Sequence, residues 1–243
     1  MDNKPVSEKK SFAGSVVLAV GLVCGLGLLG SQISDSVQNF VDRDRVVTVK
    51  GLAEEEVMAD YVIWPMTYRE MGDDLPAVNA RLESRAQQIA QFLTDGGIKP
   101  EEITITTPSV DDAQANSYGD NKRPYRYSLM QTMTVATSAV DKVRALIGKQ
   151  SQLIDQGVSF ATDYGYRTQY SFTKLNDIKP KMIETATVNA REVAEKFAKD
   201  SGSALGKIRR ASQGQFSIYD RDSNTAHIKK VRVVTTVEYY LKD

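Results

Sequence analysis

Apolar and polar positions follow three rhythms along the chain. From Ser11 to Ser34 no charge appears over 24 residues. At about 1.5 Å per residue, a helix of that length crosses a hydrocarbon core of about 30 Å. Beyond Asp35 no uncharged apolar run is long enough to span, and the rhythm switches between strand alternation and helical spacing. The pattern predicts a tail at 1–10, a transmembrane helix at 11–34, a tether at 35–45 and one large folded portion at 46–243.

Within that portion, Arg45 to Lys50 reads as a short strand ended by Gly51, with Glu54, Glu55 and Glu56 in the turn that follows. Val57 to Tyr68 reads as a second strand, at an edge or bulged near Pro65 because proline cannot donate to a ladder. Asp73 and Asp74 with Pro76 announce a helix. Its apolar face is Val78, Leu82, Ala86, Ile89 and Leu93, and Gly96-Gly97 stops it. Ile103 and Ile105 mark a strand, followed by a polar loop from Asp111 to Lys122. The next strand carries Tyr125, Tyr127, Leu129, Gln131, Met133 and Val135 on one side.

Ser138 with Asp141 resembles a capping box opening a short helix through Val143, Leu146 and Ile147. Gly157 to Phe172 alternates as one long strand. Asn176-Asp177 caps a second long helix with the face Met182, Ala186, Ala190, Val193 and Phe197, closed by Gly202. A strand near Ile208 to Phe216, a polar loop, and a closing strand through Val231, Val233, Thr235, Val237, Tyr239 and Leu241 complete the chain. The two long helices space their apolar faces alike. Each is followed by a glycine stop, a strand, a polar loop and a long alternating strand. This predicts an α+β fold made by divergent duplication, with halves 46–137 and 138–243. Each half carries helices on one face of an antiparallel sheet.

Charge orients the apolar run. Lys4, Lys9 and Lys10 precede it, whereas Asp35, Asp42 and Asp44, offset by Arg43 and Arg45, follow it. The positive flank stays cytoplasmic, which predicts a single-pass inner-membrane protein with its main domain extracytoplasmic and the lipid bilayer as a partner. The competing reading is a cleaved signal peptide. Its apolar core usually runs only about 7–15 residues, and no obvious A-x-A site is present. Gly21 and Gly25 form a small-xxx-small spacing that suits helix packing in lipid.

Thirty-one basic residues balance thirty-one acidic ones, so no net field favours nucleic acid. The only cysteine, Cys24, lies in the apolar run, and the only histidine is His227. That excludes the usual zinc sets and a cysteine–histidine dyad. No nucleophile elbow, phosphate loop or EF-hand spacing occurs. The reading therefore assigns no catalytic residue, no cofactor and no metal. Glu54, Glu55 and Glu56 read as a solvated turn, Asp111, Asp112 and Asp120 as loop carboxylates, and His227 as a surface loop histidine.

Several stretches in order resemble the SIMPL-domain family. They are VVTVKGLAEEEVMADY at the start, FLTDGGIKPEEITI, YRYSLMQTMTV, TATVNAREVAEKFAKDSGSALGKI and the closing VRVVTTVEYYL. Bacterial members of that family include periplasmic oxidative-stress-defence proteins and an immunogenic periplasmic antigen. The resemblance implies an α+β fold, extracytoplasmic placement and assembly into large homo-oligomeric rings or hollow cages. The family has no established catalytic residues, so none is carried over.

Tyrosines at 118, 125, 127, 164, 166 and 170 suit surfaces that are partly apolar and partly wet. Tyr164, Tyr166 and Tyr170, with Phe172, are the candidate subunit contacts, because a strand longer than its sheet leaves a pairing edge. The expected function is a membrane-anchored, self-assembling extracytoplasmic protein, in envelope or oxidative-stress defence. The alternative is a binding module for an envelope glycan, peptide or lipid. A hydrolase working with carboxylates alone has no supporting spacing.

Overall fold

The chain is seen in a computed structural model whose described residues are 20–27, 45–115, 123–161 and 167–242. Residues 20–27 form helix α1, the described part of the apolar run Ser11–Ser34. The rest of that run, and the tether up to Asp44, lie outside the described residues. Among the described residues no helix is long and apolar enough to cross a membrane.

The remaining elements begin with strands β1 (Val46–Met58) and β2 (Tyr61–Gly72), helix α2 (Leu75–Asp95), and strands β3 (Ile103–Ile105), β4 (Ser109–Asp112) and β5 (Tyr127–Thr137). Helices α3 (Val140–Ile147) and α4 (Ser151–Asp155), strand β6 (Gln169–Ser171) and helix α5 (Leu175–Asp200) follow. Strands β7 (Ala204–Gln213), β8 (Ser217–Asp220) and β9 (Ile228–Lys242) close the chain. The architecture is mixed α+β with antiparallel sheets. Contacts divide it into two units. The first takes its described residues from Met1–Ala53, Ile183–Gln215 and Val233–Asp243, the second from Glu54–Met182 and Phe216–Arg232.

In the second unit the sheet runs β3-β5-β2-β6, with β4 also paired to β5. Alternation sends Val62, Trp64, Met66 and Tyr68 of β2 to one face, beside Leu129, Met133 and Val135 of β5. Helix α2 covers that face with Val78, Leu82, Ile89 and Leu93, the period the sequence showed, and Ala86 packs at its margin. Each such side chain contributes about 1.5–3 kcal/mol by leaving water. Asp74 caps the helix by accepting from the Ala77 amide. The ring of Tyr68 is fully buried, its hydroxyl donates to Gln131 Oε1 at 2.7 Å, and burial pushes its pKa up to about 12.

In the first unit, the inner residues Val49 of β1 and Val237 and Tyr239 of β9 meet Ala190 and Ala194 of α5, with Val47 and Leu205 at the rim. Strand β7 pairs antiparallel with β9 from Ala204↔Lys242 to Gln213↔Thr235.

Several expectations are corrected. Strand β1 does not stop at Gly51 but runs on through Glu54–Glu56 to Met58. Gly51 serves close packing against α5 instead of a turn, because a Cβ there would meet the α5 backbone. Pro65 sits in β2 with β5 on one side and β6 on the other, in unbroken register with Thr134. On the β6 side, described pairing covers Tyr61–Ile63 and an isolated bridge at Tyr68, so the proline falls in the gap between them. Gly157 to Phe172 is not one strand: Phe160 bridges Tyr68, and among the described residues only Gln169–Ser171 forms a ladder with β2. The Ser138–Asp141 box is not formed. Ala139 is the N-cap of α3, and its amide donates to Thr137 Oγ1. Helix α5 starts before Asn176, with Pro180 inside it. Its buried face steps evenly through Met182, Ala186, Ala190, Ala194 and Ala198, leaving Val193 and Phe197 exposed.

One succession occurs twice. Helix α2 leads to β3, β4 and β5, and β5 pairs antiparallel with both strands before it. Helix α5 leads to β7, β8 and β9, and β9 pairs with both strands before it. The helix ends also agree. Gly97 (φ 83°) donates to Thr94 while Ile98 donates to Leu93; Gly202 (φ 69°) donates to Lys199 while Ser203 donates to Ala198. Both are Schellman turns, in which the left-handed residue is glycine because a Cβ is strained there.

Candidate functional site

The aromatic stretch singled out in the sequence ends against the loop before β9. Tyr170 on β6 is half-buried against the core of its unit and meets His227 edge-on, with ring centroids 6.0 Å apart and planes at 66°. Asp60, in the turn between β1 and β2, accepts from the amides of Thr173 (2.8 Å) and Lys174 (3.1 Å) and so fixes where β6 ends. The Ala59 amide donates to the His227 carbonyl at 2.8 Å. Burial lowers the His227 pKa, and the cations of Arg144 and Arg221 add to that, so the neutral imidazole is favoured. Burial raises the Tyr170 pKa. Phe172 is half-buried beyond the strand, whereas Tyr164, Tyr166 and Tyr118 lie outside the described residues.

The loop itself is tied down by Asp222. Its carboxylate accepts from the Thr225 hydroxyl, from Arg221 Nε at 3.2 Å and from the amides of Asn224 and Thr225 at 2.9 and 2.8 Å. These bonds hold its pKa at about 2.

The acidic candidates are spent on cations. Glu54 pairs with Lys230 (3.1 Å) and Arg232 (3.5 Å), Glu55 with Lys181 (3.5 Å) and Glu56 with Arg221 (3.5 Å). Glu54–Glu56 therefore form part of an extended strand whose partners lie on β9, on α5 and in the loop after β8, not a solvated turn. Asp111 pairs with Arg123, and Asp112 takes the Arg126 guanidinium through two bonds of 3.1 and 3.2 Å. Asp120 lies outside the described residues. Among the described residues no group of three or more His, Cys, Asp or Glu side chains could hold a metal ion. Gly21 and Gly25 lie in α1 with open space around both. Tyr125 and Tyr127 are half-buried, and the Arg126 guanidinium lies 4.8 Å from the Tyr127 ring centre.

Two recesses open on the second unit. One, of about 280 Å³, lies between Met58–Ala59 and the first turn of α3. The other, of about 510 Å³, lies between α2 and α4. Its walls carry Gln87, Gln88 and Gln91 from α2 and Gln152 and Gln156 from the region of α4, with Phe92 and Asp95 beside them.

The SIMPL profile, described as a protein of unknown function (DUF541), matches residues 47–239. The chain belongs to the SIMPL family. No curated protein matches it. The SIMPL match opens in β1 and closes in β9, so it contains both recesses, β6 and His227, and the apolar run lies before it. The glutamine recess was not visible in the sequence of this SIMPL chain, because its two walls stand more than fifty residues apart. The one available signal was Gln87, Gln88 and Gln91 on the outer side of a helix whose inner side was already assigned.

Proposed function

We propose that this SIMPL protein is a bilayer-tethered, extracytoplasmic subunit with a structural role, assembling into a large homo-oligomeric ring or cage in envelope or oxidative-stress defence. Residues 11–34 form its membrane anchor, with the N-terminus cytoplasmic. The domain behind it arose by duplication; the repeated succession of helix and strands supports that reading.

The observation that carries self-assembly is the apolar surface of the first unit. Its buried core rests on a few valines, alanines and one tyrosine, while Phe197 is 57 % exposed and Ile208 42 %. Val188 and Val193, on α5 with Phe197, are exposed as well. Strand β7 pairs only with β9, which leaves its other edge without a strand partner among the described residues. Lys207 and Arg210 on β7 oppose pairing of that strand with its own copy, since like charges would face each other, while Arg209 is paired with Glu238 at 3.2 Å. A contact between unlike surfaces is then favoured, and such contacts close into rings where the rotation between copies closes. The candidate partner in this proposal is the set read from the sequence, Tyr164, Tyr166, Tyr170 and Phe172, whose rings suit arginine.

Light scattering on the full chain, purified in a mild detergent at micromolar concentration, tests this. The expected result is a many-subunit particle that Ile208→Lys with Phe197→Ser breaks into smaller species without changing the circular dichroism. A clean monomer from the unmodified chain overturns the proposal. Retention in the membrane fraction after alkaline wash, lost when residues 1–34 are removed, is the outcome expected for the anchor.

A further inference from the structure

Five of the chain's thirteen glutamines line one recess. We infer that this groove between α2 and α4 binds a neutral oligosaccharide. The proposal concerns a site and an activity separate from self-assembly, and neither depends on the other.

The groove is built to present carboxamides in fixed senses. Arg85 ties its walls together: one terminal nitrogen donates both to Gln88 Oε1 (3.1 Å) on α2 and to the Gln156 carbonyl (2.9 Å) beyond α4. Arg85 Nε meets Glu70 at 2.9 Å, a carboxylate shared with Arg81 (3.4 Å), and the Asp95 carboxylate in the groove lining supplies the second negative charge. With Gln88 Oε1 occupied, the Gln88 amide nitrogen is left to donate. Gln91 is set the other way, since its nitrogen donates to Asp95 Oδ1 at 2.6 Å and its oxygen remains to accept. Gln87, Gln152 and Gln156 offer a donor and an acceptor each.

Adjacent donors and acceptors without net positive charge match sugar hydroxyls, which donate and accept at once, and acetamido groups, which do the same. Phe92 is half-buried, so its ring is held in place and offers one apolar surface for the C–H side of a pyranose. About 510 Å³ lies in the range of small-ligand sites. An extended peptide needs a free strand edge or a row of apolar pockets, and the groove walls are two helices bearing one aromatic ring.

Saturation-transfer NMR with the full chain in a detergent without sugar headgroups tests the assignment, using diacetylchitobiose and cellobiose as probes and tetra-alanine as the peptide control. The expected result is transfer to at least one sugar with a dissociation constant of about 1 mM. Gln91→Ala with Gln152→Ala, both exposed positions, then weakens binding about tenfold or more. Gln213→Ala on β7 leaves binding unchanged. No transfer to either sugar at about 10 mM overturns the inference. So does binding that the double variant leaves intact, or transfer to tetra-alanine alone.

Discussion

A Cβ built on Gly51 would stand 1.8 Å from the carbonyl oxygen of Ala186 and 2.6 Å from the amide nitrogen of Ala190. Strand β1 and helix α5 thus touch backbone to backbone at this point. The alanines at 186, 190, 194 and 198 are the helix's side of the same close approach, and all four are buried. Backbone cannot move aside as a side chain can, so any residue larger than glycine pushes the helix off the sheet. Gly51→Ala is expected to destabilise the fold by at least about 3 kcal/mol, measured by urea unfolding. A loss below about 1 kcal/mol would show that the helix shifts without cost.

On strand β9 of the same unit, Thr235 and Tyr239 have buried hydroxyl oxygens with no hydrogen-bond partner among the described residues. A buried polar group left unpaired costs more than an apolar group of the same shape. Thr235→Val and Tyr239→Phe keep the shape and remove the hydroxyl. Each is expected to raise stability by about 1 kcal/mol, seen as a higher urea midpoint with an unchanged slope.

The pairing of His227 with Tyr170 has a consequence for pH. The groups facing the imidazole are the cations of Arg144 and Arg221, the carboxylates of Asp141 and Asp222, and the Tyr170 ring. Burial and the two cations lower its folded pKa below 6.5, so the unfolded chain binds the proton more readily than the folded one. The stability from the neutral imidazole is complete above pH 6.5 and is lost as pH falls through the lower folded value. Melting temperature is therefore expected to fall on acidification from pH 7 to 5, and His227→Gln to flatten that part of the profile. An identical slope in the variant would assign the acid sensitivity to other groups.

The sequence showed most clearly the elements in which one periodicity governs both burial and geometry. Helix α2 and strand β9 have their predicted faces because large apolar residues recur there at the right spacing. Helix α5 misled for a physical reason. Val193 and Phe197 are more hydrophobic than Ala194 and Ala198, yet contact with Gly51 selects for small side chains, so the helix turns its alanines inward. Strand β1 read as broken because glycine and three glutamates resemble a turn; the cations that make those glutamates suit a strand lie on Lys181, Arg221, Lys230 and Arg232, far along the chain. The glutamine groove needed the fold as well. Only packing of α4 against α2 sets Gln152 and Gln156 opposite Gln88 and Gln91.

The matching helix ends yield a separation of two costs that usually occur together. Gly202 has φ 69° and open space where a Cβ would go, whereas Gly96 has an ordinary φ of −76° but would place a Cβ 2.4 Å from Leu146 Cδ2. Gly202→Ala therefore carries the strain of the left-handed backbone with no collision, and is expected to cost about 1 kcal/mol. Gly96→Ala carries the collision with no backbone strain, and Leu146 is a buried core side chain with little freedom to yield, so about 1–3 kcal/mol is expected. Leu146→Ala in the Gly96→Ala background removes the obstructing group, and double-mutant-cycle analysis is expected to give a favourable coupling between these positions and none between Leu146 and Gly202. A Gly96→Ala cost that Leu146→Ala leaves unchanged would mean that collision with Leu146 is not what keeps glycine at position 96.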